Sequence, residues 1–312
     1  MMNAVHHRVT HALRKRVAES AHDDDAADPV QDAPAEKVLT TRDVRRRVAR
    51  RALFSRASPL VVIAGILIVW ELAVRLFGVP AYLLPPPSAI ARRMVIDYRL
   101  LAVNMWITLG EVLAGFALAI VVSIPLAAIL AQFRVVENAV YPTLVASQTI
   151  PKVAIAPILV VWFGFGLTPK ILIAFLICFF PIVVDTMTGF RCVPREVIWL
   201  ARSMGASQWK TFTKIRIPAA LPNIFAGLKV ASTLAVVGAV VGEFIGADRG
   251  LGYQLIVANG LMDVQLSFAV LVTLSLLGIA LYAAVDLLER ITLPWHVSHR
   301  AMAGTSPSEA TT

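Results

Sequence analysis

The residues in this 312-residue chain that could do chemistry are few, and five of them interrupt long apolar runs: Glu111, Lys152, Asp185, Lys229 and Glu243. A charge in a bilayer core is expensive to hold, so each is a candidate for a solute pathway or for a structural ion pair. Lys152 lies between Pro151 and Pro157. It reads either as a pathway cation that attracts an anionic solute, or as the partner of a carboxylate or of carbonyls freed by the prolines. Glu243 divides in the same way. Lys229 can reach a membrane surface by snorkelling, and Glu111 and Asp185 read as structural.

Other chemistries are excluded. The six histidines (His6, His7, His11, His22, His296 and His299) lie near the two ends, away from the apolar runs. That leaves no imidazole among those runs for metal binding or proton transfer. There is no GxxxxGK[ST] phosphate loop, no GxSxG elbow and no HExxH pair, so no catalytic residue, metal or cofactor is expected. The glycine-rich run Gly246 to Gly252 reads as a tight loop. Cys178 and Cys192 are fourteen residues apart. On one helix that is roughly 21 Å of rise, too far for a disulfide.

One polar stretch stands out, REVIWLARSMGASQWKTFTKIRIPAALP over 195–222. Val197, Ile198, Ala201 and Met204 recur at helical spacing and give an apolar face. Gly205 is placed to end that helix, and Ser207 to cap a second short one that carries Trp209. Pro218 and Pro222 are expected to close the segment. Its partner is either a lipid surface or a groove on another protein.

The elements that must position these groups are membrane spans. With 58% hydrophobic and 16% charged residues, the composition is that of a polytopic membrane protein. Six spans are expected, near 59–77, 104–131, 141–163, 169–190, 224–245 and 266–288. The third, with Pro142, Pro151 and Pro157, should be kinked or broken. Residues 1–57 read as a disordered basic tail whose seven arginines over 42–56 suit anionic lipid or a positive-inside flank. Residues 58–103 hold the first span and an amphipathic segment, 89–101, expected on the outer surface. Residues 104–289 form the core, with a cytoplasmic loop over 191–218, and 290–312 a polar cytoplasmic tail. That loop holds Arg191, Arg195, Arg202, Lys210, Lys214 and Arg216, whereas 246–265 holds only Arg249, which puts both termini inside. The net charge of +9 fits this asymmetry better than a nucleic-acid partner, because no zinc-ligand spacing accompanies it.

The 195–222 stretch resembles the cytoplasmic signature of binding-protein-dependent ABC importer permeases, written E-A-A, three residues, Gly, nine residues, I-x-L-P. Ala201 matches the last Ala, Gly205 the Gly, and Ile215, Ile217 and Pro218 the I-x-L-P with Ile for Leu. Trp199 and Leu200 depart from the Glu and first Ala. LPPPSAI, SQTIPKVAIAPILVVWFGFG and VVGEFIGADRGLGYQL are similar to the nitrate/sulfonate/taurine branch of that family.

The resemblance implies an all-α polytopic membrane protein with six transmembrane helices and the type I (MetI-like) permease fold, in a bacterial inner membrane. It implies a permease rather than an enzyme, paired with a second copy, two cytoplasmic ABC ATPases and an extracytoplasmic solute-binding protein. Residues Ala201, Gly205, Ala206, Ser207, Trp209, Ile215 and Pro218 would couple to the ATPase, and Lys152 and Glu243 would be candidates for the pathway. The expected solute is an anion such as a sulfonate, taurine or nitrate. The alternative is a thiamine-precursor pyrimidine or a riboflavin-like solute, and an ion-coupled secondary transporter is the rival from another class.

Overall fold

The computed structural model describes residues 61–294. Residues 66–294 belong to one compact unit, and residues 61–65, which are helical, to another. The readings on 1–57, on the start of the first span and on the chain beyond 294 lie outside the described residues.

The helices, in order, are α1 (66–76), α2 (Pro87–Ile96), α3 (Tyr98–Gln132), α4 (Arg134–Ser147), α5 (Lys152–Phe163), α6 (Leu167–Arg191), α7 (Arg195–Ser203), α8 (Gln208–Thr211), α9 (Ile217–Gly246), α10 (Leu251–Gly260) and α11 (Val264–Thr292). A single π turn, Phe212–Arg216, joins α8 to α9. The fold is all-α, as expected. Among the described residues four helices are long and apolar enough to span a membrane, and five if the bent pair Val135–Ser147 and Lys152–Phe163 is one span. The expected count of six is not reproduced, because the described residues do not include the start of the first span.

The bend between α4 and α5 is 92° and falls at Pro151, whose ring disfavours helical backbone at the residue before it. Pro142 and Pro157 remain inside their helices. The amphipathic segment expected over 89–101 is divided. Asp97 ends α2, bonds the Arg93 guanidinium at 2.7 Å, and lets α3 start at Tyr98, ahead of the expected 104. At the other end of α2, Glu71 accepts the Ser88 backbone N–H at 3.0 Å and the Ser88 hydroxyl at 2.7 Å.

The α6–α9 pair makes the most extensive helix contact. A Cβ added at Gly238 would lie 2.6 Å from Ala174 Cα, and one at Gly242 2.8 Å from Lys170 Cα. The glycine stripe therefore brings two backbones together, as small residues do in lipid. Gly115 of α3 approaches Ala174 as well, with its added Cβ 2.5 Å from Ala174 Cβ. Ala231, Ala235 and Ala239 are fully buried, in one core with Val112, Cys178, Ile182 and Val270.

Two expected boundaries shift. Pro218 and Pro222 do not close the basic segment, since α9 already begins at Ile217. Pro218 lies in its first turn, where no N–H is required for the helix ladder. The last helix runs to Thr292 rather than ending near 288. Lys229 holds Asp286 and Glu289, at 2.5 Å each, along its last turns.

Candidate functional site

Two features stand at opposite ends of α9. At its start is the turn between α7 and α8. Pro194 leads in with extended backbone, and Arg195–Ser203 forms α7. The helix then stops at Gly205, whose φ of +82° is strained for any residue with a Cβ. The Gly205 N–H donates to Arg202 O at 2.9 Å and the Ala206 N–H to Ala201 O at 3.0 Å, the paired closure of a Schellman motif. Ser207 Oγ accepts the Lys210 N–H at 3.3 Å and so caps α8. The expected helix stop at Gly205 and cap at Ser207 agree with this geometry.

The chain does not unwind between that turn and the membrane. The π turn closes with the Ile217 N–H on Phe212 O, so 208–246 is helical without interruption. Ile215 lies in the π turn. Phe212 stacks on Phe190 at 5.4 Å and reaches Trp209 at 6.3 Å. Of the apolar face expected on α7, Ile198 and Ala201 turn partly inward, whereas Val197 and Met204 stay exposed. Trp199, Leu200, Met204 and Trp209 are 63%, 62%, 79% and 72% exposed. Large apolar side chains so close in sequence on a rigid turn mark an interaction surface.

At the far end of α9 lies a buried polar cluster. Glu243 is 1% exposed. Its Oε1 accepts the Thr108 hydroxyl at 2.6 Å, and its Oε2 accepts the Gly252 N–H. Thr108 Oγ1 accepts the Leu251 N–H at 2.8 Å, and Asn104 Oδ1 the Gly250 N–H at 2.8 Å. These are N–H groups at the start of α10, which have no partner within a helix. Side chains of α3 and α9 satisfy them, and the carboxylate complements the positive end of α10. A Cβ at Gly250 would collide with the Glu243 carboxyl, and one at Gly252 would lie 2.7 Å from its Oε2. The glycine-rich run is thus a place where backbone closes on a buried acid.

Beside this cluster, Lys170 Nζ bonds Glu111 Oε1 at 2.8 Å with both residues buried. Asn104, Thr108 and Lys170 did not emerge from the sequence reading. The usable signal was the spacing of Asn104, Thr108 and Glu111, which puts three polar groups on one face of α3.

The structure separates the other charged candidates. Lys152 starts α5 and donates to Gln148 Oε1 across the α4–α5 break. No contact among the described residues joins it to Glu243. Lys229 is held by Asp286 and Glu289 instead of snorkelling. Asp185 is half-buried and packs near Gly227.

The family profile described as binding-protein-dependent transport system inner membrane component matches residues 123–292. The chain is 41% identical to the riboflavin transport system permease protein RibX of Chloroflexus aurantiacus, over 75% of this chain and 88% of that one. It is 40% identical to the formylaminopyrimidine transport permease protein ThiX of Halalkalibacterium halodurans, over 78% and 97%. Identity to the putative aliphatic sulfonates transport permease protein SsuC of Bacillus subtilis is 28%, over 83% and 95%. Among solved structures, a chain of the MetNI methionine ABC transporter in an inward-facing conformation superposes with a TM-score of 0.55 at 23% identity, covering 62% of this chain and 96% of that one, which supports the fold. A capped apolar turn joined without a break to a membrane helix, inside a match that includes both ends of that helix, identifies the chain as a member of the binding-protein-dependent inner-membrane transport family, an ABC transporter permease.

Proposed function

We propose that this chain is the membrane-spanning subunit of an ATP-driven importer, and that its solute is a small aromatic nitrogen heterocycle of the pyrimidine or flavin class. The observation that carries the coupling role is the exposed patch Trp199, Leu200, Met204 and Trp209 on a turn locked by Gly205. A separate cytoplasmic ATPase offers the groove that would cover it. Because 208–246 is one helical run, displacement of Trp209 passes into α9 as a rigid-body motion. That motion would reach Glu243 and α10, which close the opposite end. Ala201, Ala206, Ser207, Ile215 and Pro218 hold this lever in shape. The subunit is read as half of a homodimer, with both termini in the cytoplasm and a binding protein outside.

The substrate reading follows the relatives. RibX and ThiX, at 41% and 40%, are nearer than SsuC at 28%. Lys152, the residue that favoured an anion, already has a polar partner in Gln148.

Gly205→Asp and Trp209→Ala are each expected to lower substrate-stimulated ATP hydrolysis of the complex at least tenfold and to leave the purified permease monodisperse. Wild-type coupling in both variants would end the docking role. For the substrate, thermal shift of the cognate binding protein is the direct measurement. Riboflavin or an aminopyrimidine should stabilise it and taurine should not, and the reverse result returns the anion reading.

A further inference from the structure

Between the inner ends of the membrane helices and α7 lies a cleft of about 960 Å³. Its wall carries Arg191, Arg195, Arg202 and Arg216, with Glu137 and Gln132. Glu137 is paired with Arg191, and Arg216 donates to Gln132 Oε1 at 3.3 Å. Arg195 and Arg202 have no ion-pair partner among the described residues. The cleft therefore presents a surplus of guanidinium groups, whose planar forks suit the oxygens of a phosphate.

The cleft has two neighbouring cavities that share its lining residues. Gln132, Arg202 and Arg216 also line a smaller cavity of about 280 Å³ that adds Phe133 and Phe212. Gln132, Phe133 and Phe212 in turn also line a groove of about 380 Å³ that includes Ala128, Ile129 and Trp209. Polarity thus changes along one path, from guanidinium to aliphatic and aromatic. The path is aligned with the membrane. Gln132 is the last residue of α3 and Arg191 the last of α6, whereas Ala128 and Ile129 lie one turn back along the apolar span.

A compact anion would fill only the cleft, and an acidic peptide would have no use for the groove. The geometry points to an anionic phospholipid of the inner leaflet, its phosphate among Arg195, Arg202 and Arg216 and one acyl chain along Ile129, Phe133 and Phe212. The leaflet, though not the site, rests on the proposed orientation of the 195–222 loop. Basic pockets at the cytoplasmic ends of membrane helices are suited to such headgroups. The lipid site shares Trp199 and Trp209 with the proposed docking patch, whereas Leu200, Met204 and Gly205 lie outside it and stay free for a protein partner.

The test uses the full-length permease, purified, stripped of lipid and re-lipidated. Native mass spectrometry compares retention of dioleoyl phosphatidylglycerol and dioleoyl phosphatidylcholine. The anionic lipid should be retained about tenfold more strongly or better, and Arg195→Gln/Arg202→Gln/Arg216→Gln should remove that preference. Dihexanoyl phosphatidylglycerol and inorganic phosphate should fail to displace the long-chain lipid at equal concentration, and Phe133→Gln should weaken its retention. Should the triple variant not purify, Arg195→Gln/Arg202→Gln on the exposed face of α7 carries the same test with a smaller loss. Equal retention of both lipids, an undiminished preference in the arginine variants, or full competition by inorganic phosphate overturns the proposal. So does complete release of the lipid when the cognate ATPase is added, since the cleft would then be a protein interface. Orientation is read separately from a membrane-impermeant maleimide on Cys192, which is exposed near the cleft while Cys178 is buried. Labelling of intact cells from outside would refute the leaflet without touching the headgroup site.

Discussion

Lys170 and Glu111 form the most deeply buried ion pair among the described residues, and its worth differs from the cost of breaking it. Replacing both partners by apolar side chains is often close to neutral, whereas removing one leaves an uncompensated charge. Glu111 Oε2 already lacks a hydrogen-bond partner, so the carboxylate depends on Lys170. Lys170→Met should therefore destabilise the purified chain by about 3–5 kcal/mol in reversible unfolding, and Glu111→Leu/Lys170→Met should recover most of that. Additive losses in the double variant would show that the pair is not the reason for the burial. Glu243 presents a different case. It accepts from Thr108 and from the Gly252 N–H, so Glu243→Ala orphans two buried donors, at about 1–3 kcal/mol each. Glu243→Gln keeps an acceptor and should cost less. Hydrogen exchange at the start of α10 is the reporter, with faster exchange in the alanine variant than in the glutamine one.

At the scale of elements, the α6–α9 seam depends on glycine because backbone, not side chain, lies opposite. At Gly242 an added Cβ would fall 2.8 Å from Lys170 Cα, which cannot swing away as a side-chain tip would. Gly242→Leu is expected to separate the two helices and disturb the Lys170–Glu111 pair together, seen as a broadened size-exclusion peak of the purified chain and a lower Tm. Gly278, whose nearest neighbour to an added Cβ is a Val236 methyl at 3.9 Å, should accept Ala almost silently. Much of this architecture was legible in the sequence. Span length follows from bilayer thickness, and the Gly205 stop from the readiness of glycine to end a helix. Less legible were features fixed by tertiary contact. Pro218 and Pro222 read as terminators, but Pro218 falls in the first turn of α9 and Pro222 is carried inside the helix, as membrane helices tolerate. The run 246–252 read only as a tight loop, because the helix that follows, α10, is ten residues long and its N-terminal caps come from α3 and α9.

For the whole molecule, an exposed apolar side chain, Trp209, and a buried acid, Glu243, lie near the two ends of one helical run, 208–246. At about 1.5 Å per residue that run approaches 60 Å, enough to cross a bilayer and protrude from it. The Lys229 contacts with Asp286 and Glu289 tie its first half to α11, and the glycine seam ties its second half to α6. Under the proposed function, the apolar turn and the Glu243 cluster would move as parts of one body.

The π turn at Phe212–Arg216 sets how the two ends of that body are clocked. It holds one residue more than an α-turn would, so the side chains before it are rotated by about 100° relative to those after it. Deleting Lys214 should allow an ordinary α-turn and preserve the helix. Trp209 would then face a different azimuth from the one paired with the Gly238–Gly242 seam. Such a variant should insert and fold at wild-type yield, and a complex assembled on it should show no solute-stimulated ATP hydrolysis. A fully active deletion would mean that the phase between the two ends carries no information.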